Sequence, residues 1–418
     1  MKRIAWVLVV ALGIIMAIVK THTAVDSGGG PRMSVTSSDA NFIVSSEADT
    51  GPGSLRDAIL AADRLPGHSR IAIRVAQVLI ESALPTLINP QGIVIEGRDG
   101  GTIIEAAHQR DGSTLQVKSP RSALRRLTLV HARNRAVTVM APGVEIDSLD
   151  ISDCGTGIVI AAGSEGLTIR HSRFERNATA IMSDAFLHDV TIVDSSFSES
   201  ARAGIWFVGA DPSLSNELGS SAIINVANDT FSKNDIGIVL GNRPALIQKS
   251  RFADNKSAGI LVLGGSATLS GNDVRHSLGN GISVTNGNTV RIDHNSIEDI
   301  LGVAILLRDT SATIEDNNLE RNAYGIVAVD AKNAGATVIR GNVLKKTVVD
   351  AITIIGGAPL LDHNQALESR SAGLRVLDLV QSGAQIKANP HLLANTLKGN
   401  AVDLPLTGVY RTSGTGQP

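Results

Sequence analysis

The chain of 418 residues has one cysteine, two tryptophans, two tyrosines and only 3% aromatic residues in all. A lone cysteine, Cys154, excludes an intrachain disulfide, so stability has to come from packing. Cys154 itself reads as a small buried filler in a corner. Few aromatics, with Trp206 the single Trp beyond the leader, argue against a surface built mainly on sugar stacking. An excess of one charge is also missing. The 38 basic residues nearly balance 40 acidic ones, and no basic run lies beyond the N-terminus, which speaks against a nucleic-acid partner. Helical spacing of apolar residues is rare. Only one long uncharged apolar run exists, Ile4 to Val19 behind Met1-Lys2-Arg3. It has the form of a signal-peptide core or a membrane anchor (residues 1–20), and no small-x-small cleavage site follows to decide between them. Either implies an exported protein, periplasmic or on the cell surface, tethered through residues 4–19 if uncleaved. Residues 21–41 are rich in Gly, Ser and Thr and read as a flexible tether.

What the sequence does have is a repeat. An apolar residue preceded by Gly or Ala returns about every 22 residues. Examples are Gly157-Ile158, Ala180-Ile181, Gly204-Ile205, Gly237-Ile238, Gly259-Ile260, Gly281-Ile282 and Gly325-Ile326. Between them lie short Val, Ile and Thr segments separated by Gly, Asn, Asp and Ser, which read as strands and turns. One such unit cannot bury its own apolar face, so successive units have to stack. The expected fold is all-β, a parallel β-helix with three short strands per coil.

Ser172, Ser195, Asp229, Ser250, Asn272, Asn295, Asn317, Asn342 and Asn364 fall at one place in successive coils. Short amides and hydroxyls satisfy backbone groups at a sharp corner, and at ~4.8 Å per coil they can bond one another as a ladder. With this ladder, residues 42 to 405 resemble the right-handed, pectin-lyase-like β-helix superfamily. The resemblance implies that each Gly-Ile segment is the first strand of its coil and that the ladder sits between the second and third strands. The run Asp49-Thr50-Gly51-Pro52-Gly53-Ser54-Leu55-Arg56-Asp57-Ala58-Ile59 resembles the N-terminal cap motif of bacterial exported β-helix proteins. A helix from Ser54 to Ala62, with Leu55, Ile59 and Ala62 on one side, would plug the first coil. The expected divisions are therefore 42–115 for the cap and first coils, 116–404 for the β-helix and 405–418 for a disordered tail. Asp211 to Ser221 is an inserted loop.

Enzymes that the superfamily resemblance brings in, pectate lyases, polygalacturonases and uronan epimerases, work in a groove over the first sheet with clustered carboxylates and Lys or Arg. Period-2 alternation places Val159, Met182, Trp206, Val239, Leu261, Ser283, Leu306, Val327, Thr353 and Arg375 on that outer face. This row is mostly apolar, poor lining for an anionic sugar. Arg291-Ile292-Asp293-His294 resembles a pectate lyase stretch, but Arg291 stands where that family has Trp, and Leu361-Asp362-His363 repeats the letters in another coil. The best polar constellation is Asn286, Asp309 and Asp330 in three successive coils, with Arg308 beside them and Arg375 and Asp378 two coils on. Such a stack could hold a calcium ion or a sugar hydroxyl, or its members could simply form turns. The row near the third strand (Glu175, Glu199, Lys233, Asp254, Asp299, Arg321, Lys346) mixes signs and reads as a solvated face.

Three functional readings stay open. One is an envelope-associated β-helix that binds, or supports processing of, a cell-surface polysaccharide. Another is an active lyase, epimerase or glycosidase of the superfamily. The third is a protein-binding scaffold or adhesin that uses the apolar first sheet. An exposed apolar strip through Trp206, Leu261 and Leu306 would pass the usual patch size on a monomer, and would need a second copy or a protein partner to cover it.

Overall fold

The Val-, Ile- and Thr-rich segments form strands that pair in parallel, one coil on the next. The structure is a computed structural model that describes residues 40–185, 187–208, 223–330, 337–381 and 384–411. The leader and most of the tether, the insertion 211–221 and residues 412–418 lie outside these. Within the unit Ser37–Pro418 the chain makes a parallel β-solenoid of about 13 turns. The repeat isoleucines stand rung on rung, Val137 against Ile158, Ile158 against Ile181, Ile181 against Ile205, and so on to Ile352 against Leu374. All of these point inward and are buried. First and second strands share one sheet of 27 strands, and third strands form another of 14. They share it because Ala258–Ser270 and Asn280–Asp293 run unbroken round the corner, with a register shift at Gly265 and Ser266.

The Gly before each repeat Ile has a packing reason. A Cβ on Gly237 would sit 2.4 Å from the Gly259 carbonyl oxygen and 2.8 Å from Phe252 Cδ1. Third strands press Phe174, Phe197, Phe231 and Phe252 into a stack, with centroids 4.7 to 4.9 Å apart and rings within 5° of parallel. With Phe207, five of the seven phenylalanines are thus spent inside the core.

The corner ladder forms as the spacing predicts. Each backbone N–H donates to the side chain one coil on, from Ser172 N to Ser195 Oγ (3.1 Å) through to Asn364 N to Asn395 Oδ1 (2.9 Å). A second ladder, which the sequence did not disclose, lies between third and first strands. There Cys154 N donates to Asn177 Oδ1, Ser200 N to Asn234, Asn234 N to Asn255, Ile300 N to Asn322 and Ser369 N to Asn400, at 2.9 to 3.1 Å.

Outside the third strands the mixed-sign row is ordered. One residue per coil takes a left-handed φ between 52° and 59°: His131, Asp153, Arg176, Glu199, Lys233, Asp254, His276, Asp299 and Arg321. Arg176 occupies the rung that the sequence reading gave to Glu175. The signs then alternate from Asp153 to Arg321, and Lys346 (φ 53°) on the next rung breaks the pattern. Arg176 grips Asp153 with two 2.9 Å hydrogen bonds, and Arg321 grips Asp299 in the same way.

At the N-terminal end the helix α1 (Leu55–Arg64) runs two residues past the expected Ala62, and Leu55, Ala58, Ile59 and Ala62 are buried in the main core. Ser54 caps it by accepting from Asp57 N at 3.2 Å. At the other end the expected disordered tail needs correction. Leu406–Arg411 form a strand that pairs in parallel with Arg375–Val380, because the last first strand leaves a free edge of N–H and C=O groups.

Candidate functional site

The outer face of the first strands is where the sequence placed its candidates, and the register holds there. Met182, Trp206, Val239, Leu261, Ser283, Leu306, Val327, Thr353 and Arg375 occupy consecutive rungs. Their exposure is lower than expected. Val239 is fully buried, and Trp206, Leu261 and Leu306 are half-buried, since neighbours ~4.8 Å apart cover one another. Trp206 also lies under the Arg202 guanidinium, 4.9 Å from its ring centre. More exposed apolar side chains stand at the corner between third and first strands, Leu278 at 61% and Leu301 at 68%. The apolar strip is therefore real in register but is not a large open patch.

The polar column divides. Thr285 pairs with Arg308 and Arg308 with Val329, so Asn286, Asp309 and Asp330 do follow on successive rungs. Asn286 and Asp309 take φ of 55° and 49°, the conformation of turn formers. Thr310 Oγ1 closes the same corner by donating to the Arg308 carbonyl and accepting from Gly287 N. Asp378 is tied down elsewhere, accepting from Ala388 N (2.9 Å) and Gln385 Nε2 (2.8 Å); those bonds hold its carboxyl below the usual range. Arg375 leaves the column altogether. It reaches back to Asp350, with Nε and Nη2 donating at 2.5 and 3.0 Å. Among the described residues no three His, Cys, Asp or Glu side chains are placed to hold a metal ion. His294 and His363 each bond the adjacent Asp on an exposed corner, away from this face.

Arg375 and Asp350 lead to a cleft the sequence reading missed. It holds about 400 Å³ over the first strands of the C-terminal coils. Val303, Val327, Val349, Ile355 and Leu377 line it, with Thr353, the Asp350–Arg375 pair, Tyr324 and Tyr410. Both tyrosines of the chain are here, 38% and 37% exposed. Asp350 is buried, which by itself would raise its pKa; bonds from Arg375 and from Ala372 N (3.1 Å) overcome that and hold it below the usual carboxylate range. Arg375 is raised by the same bond to Asp350, and Tyr324 is close enough to add to the effect. A second cleft of about 450 Å³, lined by Gly112, Asn134, Arg135, Thr156 and Met182, lies on the same face.

A family model described as the right-handed β-helix region matches residues 86–218 and 216–366. The chain belongs to this right-handed β-helix family. Among solved structures, the β-helix is similar to the catalytic unit of a thermostable α-1,3-glucanase from Streptomyces thermodiastaticus. That likeness has a TM-score of 0.57 at 16% identity and covers 90% of this chain and 70% of that one. A mannuronan C-5 epimerase A-module from Azotobacter vinelandii matches with a TM-score of 0.48 at 14% identity, over 79% of this chain and 96% of that one. No curated protein sequence matches.

In the β-helix the missed residues had one signal in the letters. The only two tyrosines fall 86 positions apart in sequence (410 − 324), in coils that stack within three rungs. Thr353 and Arg375 were read as outward-facing, and they are. Asp350 was invisible because its partner is a coil away.

Proposed function

We propose that this protein is an exported, envelope-associated β-helix that holds a cell-surface polysaccharide along its first-sheet face. The observation that carries the reading is the C-terminal cleft, where the two tyrosines flank an apolar floor with a few polar groups. Such a lining suits sugar rings, which have an apolar C–H side and a hydroxyl rim. The second cleft extends the same face. Six rungs separate Met182 from Val327, ~29 Å at ~4.8 Å per rung, a span suited to a polymer. Export is supported by the uncharged run Ile4 to Val19 behind Lys2 and Arg3. That an α-1,3-glucanase shares the fold agrees with a glycan ligand.

Binding is favoured over catalysis by the carboxylate inventory. The cleft has one carboxylate, Asp350, already engaged by Arg375 and a backbone N–H, whereas glycoside hydrolysis generally needs a pair of carboxyls free to act. The test is to incubate the full chain with a panel of polysaccharides, following binding by co-sedimentation and the ultraviolet absorbance of unsaturated uronates. Retention of at least one polymer without unsaturated product is expected. Rapid formation of unsaturated product would replace the reading with a lyase, and retention of none would remove it.

A further inference from the structure

The charge and hydrogen bonding of the C-terminal cleft select among polysaccharides. The two charged groups in its lining, Asp350 and Arg375, are bonded to each other, so the lining carries no net charge. A uronate entering the cleft either takes Arg375 from its buried partner or binds the outer N–H groups of a guanidinium that Asp350 already neutralises, and in both cases sits beside the ionised Asp350. Breaking a buried ion pair is expensive because it strands the charge left behind. Thr353 supplies an independent observation. Its side chain is 5% exposed, and its Oγ1 is buried without a hydrogen-bond partner on the floor of the cleft. Buried hydroxyls are almost always bonded, and a χ1 rotation that turns this bare Oγ1 to the cleft surface would give it the partner it lacks when a ligand hydroxyl or carbonyl is there. The remaining lining is aliphatic or tyrosine.

We infer that this cleft binds an uncharged sugar carrying methyl groups, a 6-deoxy or N-acetyl residue of a polysaccharide, with Thr353 Oγ1 bonding a ring substituent. The inference rests on the polysaccharide reading above and narrows it to a neutral, methyl-bearing class. Tyr324 and Tyr410 stand at opposite ends of the cleft, and each packs against a ring at its own end of the bound segment. Val327 and Leu377 meet its methyl group. The Asp350–Arg375 pair stays intact and offers its outer N–H groups to a hydroxyl.

The test compares N-acetylglucosamine oligomers and a rhamnan with dextran and with alginate and polygalacturonate, using the full chain and its variants Tyr324→Ala, Tyr410→Ala and Thr353→Val. The methyl-bearing neutral glycans should bind best, and each tyrosine variant should weaken them roughly tenfold, as loss of an interface anchor does. Thr353→Val should weaken the same ligands yet leave thermal unfolding of the free protein unchanged or raised, because it removes an unsatisfied buried hydroxyl. That combination separates a ligand-binding hydroxyl from a structural one. Preference for alginate or polygalacturonate, lost in Tyr324→Ala, would overturn the neutral class and leave the polysaccharide reading standing. Preference for dextran would overturn the methyl requirement. Neutral-glycan binding unchanged in all three variants would overturn the cleft as the site. No binding to any polymer would overturn this inference together with the reading beneath it.

Discussion

The coils from Ser172 to Phe252 and those from Asn272 to Leu397 make the same corner with different chemistry. In the first group the ladder residue is Ser172, Ser195, Asp229 or Ser250, and the residue two places on is Phe174, Phe197, Phe231 or Phe252. In the second the ladder residue is always Asn, and the residue two on is Val274, Ile297, Leu319, Leu344, Ala366 or Leu397. The serine hydroxyls donate within their own coil, as Ser195 Oγ does to the Val193 carbonyl at 2.9 Å. Each Asn Nδ2 donates instead to a neighbouring coil. Asn295 Nδ2, for example, reaches the Leu269 carbonyl and the Asn317 Oδ1, both at 2.9 Å. Both halves carry the backbone N–H ladder; the amide half adds side-chain hydrogen bonds between coils, while the hydroxyl half adds a stack of rings. Two solutions to one problem, how to join coils with no disulfide, thus follow one another along a single chain.

Breaking the ring half should have the largest effect. Phe231 is sandwiched between Phe197 and Phe252, so Phe231→Ala leaves a cavity in the stack and should cost about 4 kcal/mol by denaturant unfolding. Breaking the amide half comes next. Asn317→Ala removes the acceptor for Asn295 N and the donors to the Ile292 and Glu315 carbonyls and to Asn342, leaving buried groups unsatisfied. A loss of about 3 kcal/mol is expected, and a loss below that of an exposed Asn→Ala control would show that the ladder is dispensable.

Asp229 sharpens the comparison, because it is a carboxyl in the hydroxyl half at a position where the other half has amides. Burial pushes it up to about 8, against an N–H bond from Ser195, with Asp194 adding to the rise, and its Oδ2 has no partner. A folded pKa raised above the unfolded value means the contribution is whole below the ordinary carboxyl range and is lost as pH rises through about 8. Asp229→Asn should therefore gain on the order of 2 kcal/mol at pH near 8, nothing near 4, and flatten the stability profile between them. A variant with the wild-type profile would mean the carboxyl is not the source of the slope.

The smallest effect belongs outside the core, in the alternating column. Lys233→Glu would put three negative side chains on consecutive rungs, Glu199, position 233 and Asp254. On a solvated face this should cost only about 1 kcal/mol, and about 0.5 M salt should remove most of it. A cost that survives salt would show that the alternation acts through more than charge.

The sequence by itself determined the solenoid, its coil length, the inward isoleucines and the first ladder, down to individual residues. These follow from local rules repeated many times: a period-2 strand, a corner that needs a short polar side chain, and a Gly where the next carbonyl presses close. The tertiary structure alone decided the rest. In the second ladder the accepting side chains are Asn177, Asn234, Asn255, Asn322 and Asn400, but Cys154, Ser200 and Ile300 interrupt the column, and only stacking reveals that their backbone N–H groups need the same partner. The sign alternation of the charged column depended on Arg176, not Glu175, being the residue that turns the corner. The cleft depended on contacts between coils. Arg375 was legible as an outward residue, but its direction was set by Asp350, 25 positions earlier, and the cleft's second tyrosine came from a tail that gained its place by pairing with the last open strand edge. A repeat writes its own corners into the sequence, whereas a site assembled from one side chain per coil exists only once the coils are stacked.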